Sequence, residues 1–170
     1  MSKYIIDTEA GTCQPYQNNV KNVTDFLYQY EGAKEYDAVV AAIQKWYYGS
    51  LVKDPWCATC MSWVFNKLGI PVDKSENVYT LMRNCQYAAT QGHGTFYSRS
   101  NLPELKKGDV CFLLFTGITM TATSKKHVTA FIERPSNDRL RCIGGNQSNQ
   151  IRVTDYASST LYAVYRPKEA

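Results

Sequence analysis

The chain has only two histidines, no run of like charges and no long apolar stretch, and each absence narrows what its 170 residues can be. No window approaches the 18 consecutive apolar residues of a membrane-spanning helix, so membrane insertion is not expected. Lys and Arg total 19 against 15 Asp and Glu, a net charge of +4 at pH 7. The basic residues are dispersed rather than gathered into a patch, so no nucleic-acid partner is expected. Mild positive charge favours approach to an anionic surface without naming one. Repeats and low-complexity tracts are also lacking. The expectation is an Asn- and Gln-rich arm over residues 1–21, followed by one globular domain over residues 22–170. The first 19 residues show no secretory signal, so synthesis in the cytoplasm is expected.

Six cysteines are present, at positions 13, 57, 60, 85, 111 and 142. Without a secretory signal they read as reduced thiols rather than as a disulfide framework. Cys85, Cys111 and Cys142 lie in apolar periodic segments, where free cysteine acts as a small hydrophobe.

Helical periodicity dominates the first half. A pattern from Val23 to Tyr30 stops at Gly32, and a second starts at Asp37 as cap and ends at Gly49. Positions 57, 60, 61, 64, 65 and 68 trace one wide helical face, closed by Gly69 and Pro71. A fourth helix is expected with Ser75 as cap, ending in the Gly92-His93-Gly94 turn. After Lys107-Gly108-Asp109 the period changes. Val110–Phe115, His127–Glu133, Leu140–Ile143, Gln150–Thr154 and Leu161–Tyr165 read as short strands separated by turns. Helices first and strands afterwards predict an α+β fold with helices packed on an antiparallel sheet.

Cys57 opens the third helix, where unpaired N–H groups and the helix dipole stabilise a thiolate. Pro55 before it stiffens the approach. Position alone is equally compatible with a buried structural cysteine. A thiolate nucleophile needs a proton acceptor, and only His93 and His127 are on offer. His93 lies between two glycines in a turn, whereas His127 begins a strand, which holds geometry better. His127 is therefore the expected base. The base needs a polar partner to fix its tautomer, and Asn146, after the next strand, is placed to supply one. It also reads as a turn-forming asparagine after two glycines.

The segments Trp46-Tyr47-Tyr48-Gly49, Pro55-Trp56-Cys57-Ala58 and Ser62 to Gly69, then Lys107-Gly108-Asp109-Val110, His127-Val128 and Gly144 to Asn149, follow one another in the order of a known group. The chain resembles the CHAP family of papain-like cell-wall hydrolases, in the form found in phage endolysins, from about residue 22 to 167. The resemblance implies a papain-like fold with N-terminal helices on a five- to six-stranded antiparallel sheet. It implies Cys57 as nucleophile, His127 as base and Asn146 as its polar partner. Many relatives have a glutamate where this chain has Gly144. The implied activity is cleavage of a peptidoglycan amide bond, as an endopeptidase or an N-acetylmuramoyl-L-alanine amidase. No cofactor is implied, and no acidic calcium loop of the kind some relatives carry is found, so no metal is expected. A monomer acting at the bacterial wall after release through a holin fits this reading, as does an injected effector.

Three other readings compete. Trp56-Cys57-Ala58-Thr59-Cys60 has the spacing of a thiol–disulfide oxidoreductase motif, although such domains place a buried parallel strand before it. Cys57, Cys60 and Cys85 with a histidine form a possible zinc set that lacks a second close ligand pair. The domain could also bind wall without cutting it.

Overall fold

The structure, a computed structural model, describes residues 20–35, 37–50 and 54–169, together with the backbone of residues 4–7 and 12–15. The thiol of Cys13 lies outside what is described. Within the expected arm, β1 (Tyr4–Asp7) and β2 (Thr12–Pro15) pair antiparallel, with Tyr4 opposite Pro15, beside the second helix.

Four helices follow: α1 (Val23–Tyr28), α2 (Ala38–Tyr48), α3 (Cys57–Leu68) and α4 (Val78–Thr90). Their ends show why this sequence breaks where it does. The Asn22 side chain caps α1 by accepting the Asp25 N–H at 2.9 Å. Gly49 and Gly69 end α2 and α3 at φ 78° and 68°, a left-handed conformation that glycine adopts without steric cost. The cap of α4 is Asn77, two residues beyond the expected Ser75. Ser75 instead exchanges hydrogen bonds with Ser62 of α3 and accepts the Asn77 N–H, so its hydroxyl is already committed.

The remaining strands are β3 (Gly94–Tyr97), β4 (Val110–Leu114), β5 (Lys126–Ser136), β6 (Arg139–Gly144), β7 (Arg152–Ala157) and β8 (Leu161–Pro167). They form one antiparallel sheet in the order β3-β8-β4-β5-β6-β7. The class is therefore α+β, with helices and a six-stranded sheet. Strand β3 is new relative to the sequence reading. It has four residues following a turn, too few to display a period, and it exists because β8 offers it an edge.

All five residues of β4 are buried, as a strand covered on both faces requires. On one face Phe112, Val128, Ala130 and Ile143 join the core contributed by Trp63, Val64 and Phe65 of α3. Trp63 packs edge-on against Phe26 and Tyr30, with centroids 5.5 and 5.3 Å away, and so clamps the N-terminal helical region to α3. On the other face Cys111, Leu113, Phe131, Cys142 and Val164 form a second core closed by Leu105.

The Lys107-Gly108-Asp109-Val110 segment acts as a structural staple. Asp109, 1% exposed, takes a two-pronged contact from Arg166, with Nε and Nη2 each 2.8 Å from a carboxylate oxygen. It also accepts the Lys106 N–H. Gly108 stands at φ 95°, and its N–H donates to Thr24, whose hydroxyl donates in turn to the Phe131 carbonyl. The turn thereby ties α1 to the β4–β5 pair.

Candidate active site

The first turn of α3 meets the start of β5, and there Cys57 and His127 come together, 8% and 7% exposed. His127 is the second residue of β5 and stands opposite Leu113 of β4, so two paired strands fix its position. Burial by itself raises the pKa of the Cys57 thiol. The positive charge of His127, a hydrogen bond from its ring, and the backbone N–H groups of Val128 and Ala58 outweigh that, and the net shift is downward. For His127, burial opposes protonation, while the Cys57 charge and hydrogen bonds to Cys57 and Gln147 favour it, and the net shift is upward. The pair is thus built to hold a thiolate beside an imidazolium.

The amide hydrogen-bonded to the His127 ring is that of Gln147, whereas Asn146 was the residue expected from the sequence. Asn146 sits half-buried in the turn after β6 at φ 58°, and the histidine ring is hydrogen-bonded to Gln147 instead. Gln147 is 3% exposed, and its Oε1 lies 3.0 Å from His127 Nε2. The same oxygen accepts the Thr129 hydroxyl at 2.7 Å, two residues along β5 and hence on the same side of the strand. The amide nitrogen of Gln147 donates to the Arg152 carbonyl at 2.5 Å and weakly, at 3.5 Å, to that of Cys142. Those two carbonyls fix which end of the amide faces the ring, because the reversed amide would set oxygen against oxygen. His127 Nε2 therefore bears a proton, and by elimination Nδ1 is the ring nitrogen in the hydrogen bond with Cys57.

Two glycines make room for this arrangement. A β-carbon on Gly144 would stand 2.7 Å from Thr129 Oγ1 and 2.9 Å from Gln147 Oε1. Gly144 is thus glycine because the Thr129–Gln147 pair fills the space in which a glutamate would begin. A β-carbon on Gly145 would stand 2.6 Å from Cys60 Cβ and 2.8 Å from Trp56 Cζ3, so the turn lies directly against the first turn of α3.

Cys57 lies on the floor of an open cleft of about 620 Å³, walled by Tyr48, Asp54 and Glu76 among others and, opposite in sign, by Lys125 and Lys126. Among the described residues none of these four charges is in an ion pair. The Lys126 ammonium is held by the carbonyls of Ala122 and Ser124. Phe115, 44% exposed, adds an apolar edge.

Cys60, one turn further along α3, is 1% exposed, and burial together with the Cys57 charge drives its thiol pKa far upward. His93 is exposed, and its backbone carbonyl serves Tyr165 and Lys168. Among the described residues no group of three or more His, Cys, Asp or Glu side chains is placed to hold a metal ion, and no helix is long and apolar enough to cross a membrane. Comparison with known protein families, curated proteins and solved structures finds no match to this chain.

Proposed function

We propose that the chain is a cysteine hydrolase of papain-like, CHAP-like design that cleaves an amide bond of bacterial peptidoglycan. The observation that carries the hydrolase reading is the Cys57–His127 pair with Gln147 fixing the ring, on the floor of an open cleft. Peptidoglycan is the proposed substrate because the segments around Cys57, His127 and Gly144 resemble, in order, those of wall hydrolases. A cleft with unpaired charges of both signs also suits a peptide bearing ammonium and carboxylate groups.

The chemistry follows from the placements. The Cys57 thiolate attacks the substrate carbonyl, and the developing oxyanion is received by N–H groups at the start of α3, which have no intrahelical acceptor. Collapse breaks the C–N bond as His127 Nδ1–H protonates the leaving amine, leaving a thioester on Cys57. His127, now neutral, takes a proton from water. The resulting hydroxide attacks the thioester and releases a carboxylic acid together with the thiolate, the imidazolium is restored, and the acid passes its proton to the released amine or to solvent. Gln147 keeps Nδ1 directed at the sulfur throughout.

A redox cycle between Cys57 and Cys60 would need Cys60 to ionise and attack, and its burial opposes both. The biological setting in this reading is a monomer made in the cytoplasm and released to the wall through a holin. The test is turbidity loss and product mass spectrometry on purified peptidoglycan with wild type, Cys57→Ala and His127→Ala. New amino or carboxyl ends released by wild type alone support the hydrolase, and the product masses separate amidase from endopeptidase. Insulin disulfide reduction without wall cleavage would replace it with the redox reading.

A further inference from the structure

A second groove, of about 430 Å³, opens on the other side of the α4 N-terminus. Val78 lines the catalytic cleft and the next residue, Tyr79, lines this groove. The loop between β4 and β5 serves both, with Phe115 at the first and Ile118, 84% exposed, at the second. Asn77, the α4 cap, donates to the Ala122 carbonyl and pins that loop between the two openings. The two sites therefore adjoin across one residue step.

The walls differ in kind. The second groove presents the rings of Tyr79, Phe96 and Tyr162 with Arg83 and Arg99, and no acidic residue lines it. Both guanidinium groups are held by neutral partners. Arg83 donates to the Tyr79 hydroxyl at 3.3 Å, and Arg99 donates to the Ser159 carbonyl at 3.4 Å and lies 5.9 Å from the Tyr162 ring centroid. Among the described residues neither is in an ion pair. Two guanidinium groups on one groove, one beside the Tyr162 ring and the other bonded to the Tyr79 hydroxyl, with no acidic lining residue, form a receptor for an anion attached to a body with apolar faces. Planar guanidinium forks suit carboxylates, and ring faces suit the C–H faces of a saccharide.

We infer that this groove is a substrate-strand subsite that holds a carboxylate-bearing saccharide–peptide, with its carboxylates on Arg83 and Arg99, while the neighbouring amide lies over Cys57. The identity of the ligand rests on the peptidoglycan reading. The preference of the groove for a carboxylated saccharide does not. The subsite lets the enzyme grip its polymer through a unit adjacent to the scissile one, which the catalytic cleft alone does not do.

The test is calorimetric binding of a soluble disaccharide-peptide with free carboxylates to the Cys57→Ala protein, beside Arg83→Gln and Arg99→Gln in the same background. The expected result is at least tenfold weaker binding for each arginine variant and a comparable loss when the carboxylates of the ligand are amidated. Arg83→Lys, which keeps the charge but not the fork, is expected to recover only part of the affinity. Unchanged melting temperatures separate these losses from misfolding, and the amidated ligand needs no mutation. Equal binding of free and amidated ligand would overturn the inference, as would affinity that follows only phosphate polymers and vanishes from walls stripped of them. Carboxylate-dependent binding with no cleavage by wild type would sink the hydrolase reading and leave the groove standing.

Discussion

Cys57 and His127 shift each other in opposite directions, and the consequence appears in the pH profile. The reaction proposed above needs Cys57 deprotonated and His127 protonated, so its reactive form exists above the pKa of the first and below that of the second. The thiol is lowered from its usual 9.0 and the imidazole raised from its usual 6.5. The expected kcat/KM profile is a bell whose acid limb lies below 9.0 and whose alkaline limb lies above 6.5, with both limbs belonging to the coupled pair. Replacing Gln147 with Ala removes one hydrogen bond that favours the imidazolium. The alkaline limb then moves to lower pH, and kcat/KM falls by roughly tenfold or more, a loss of about 1.4 kcal/mol in transition-state stabilisation. A role in packing alone would lower stability and leave the limb in place. Gln147→Glu is expected to perform worse than its charge suggests, because a carboxylate oxygen would face the Arg152 and Cys142 carbonyls that the amide now serves. Its pH profile and melting curve, set beside those of Gln147→Ala, check this.

At the scale of elements, the site is the junction of the α3 N-terminus with the turn after β6. Gly145→Ala drives a methyl group into Cys60 Cβ, which is fixed to the helix backbone, and into Cζ3 of the buried Trp56 ring. The expected outcome is loss of most activity, with the folded state retained at a lower melting temperature; circular dichroism and a turnover assay together show it. Asn77→Ala removes both the α4 cap and the tie to the loop at Ala122. Loss of the cap costs about 1 kcal/mol, which for a chain of this size lowers the melting temperature by roughly 2–4 °C. Periodicity revealed the four helices, and β-branched or aromatic runs between turn residues revealed five of the strands, including the wholly buried β4, which has no alternation. The helical pattern placed the α4 cap two residues early because Ser75 and Asn77 are both good caps, and only the contact of Ser75 with Ser62 assigns them.

The whole molecule is held by a two-faced sheet and by long-range fasteners that read in the sequence as something else. Asp109 belongs to a segment whose resemblance to wall hydrolases suggested only the start of a core strand, and its chemistry is a buried ion pair with Arg166 of β8. Asp109→Ala is expected to cost about 2–3 kcal/mol, less than a fully buried pair, because the Arg166 side chain remains 26% exposed and can hydrate. Chemical denaturation of the purified variant measures it.

The amino-acid sequence by itself indicated the α+β class, four helices followed by five strands, and the pairing of Cys57 with His127 that the fold brings together, because helix-start chemistry and a shortage of histidines are local or countable facts. It pointed to Asn146, whereas the amide bonded to the ring is that of Gln147. Asn146 and Gln147 are neighbours, and either can accept a hydrogen bond from an imidazole. Asparagine tolerates the left-handed backbone of the turn more readily than most residues, so Asn146 takes φ 58° while the longer Gln147 side chain turns inward. That inward space exists only because Gly144, Thr129 and the Arg152 carbonyl converge from three strands. The pairing of β5 with β6 and of β6 with β7 brings those residues together, so only the tertiary structure decided which amide completes the site.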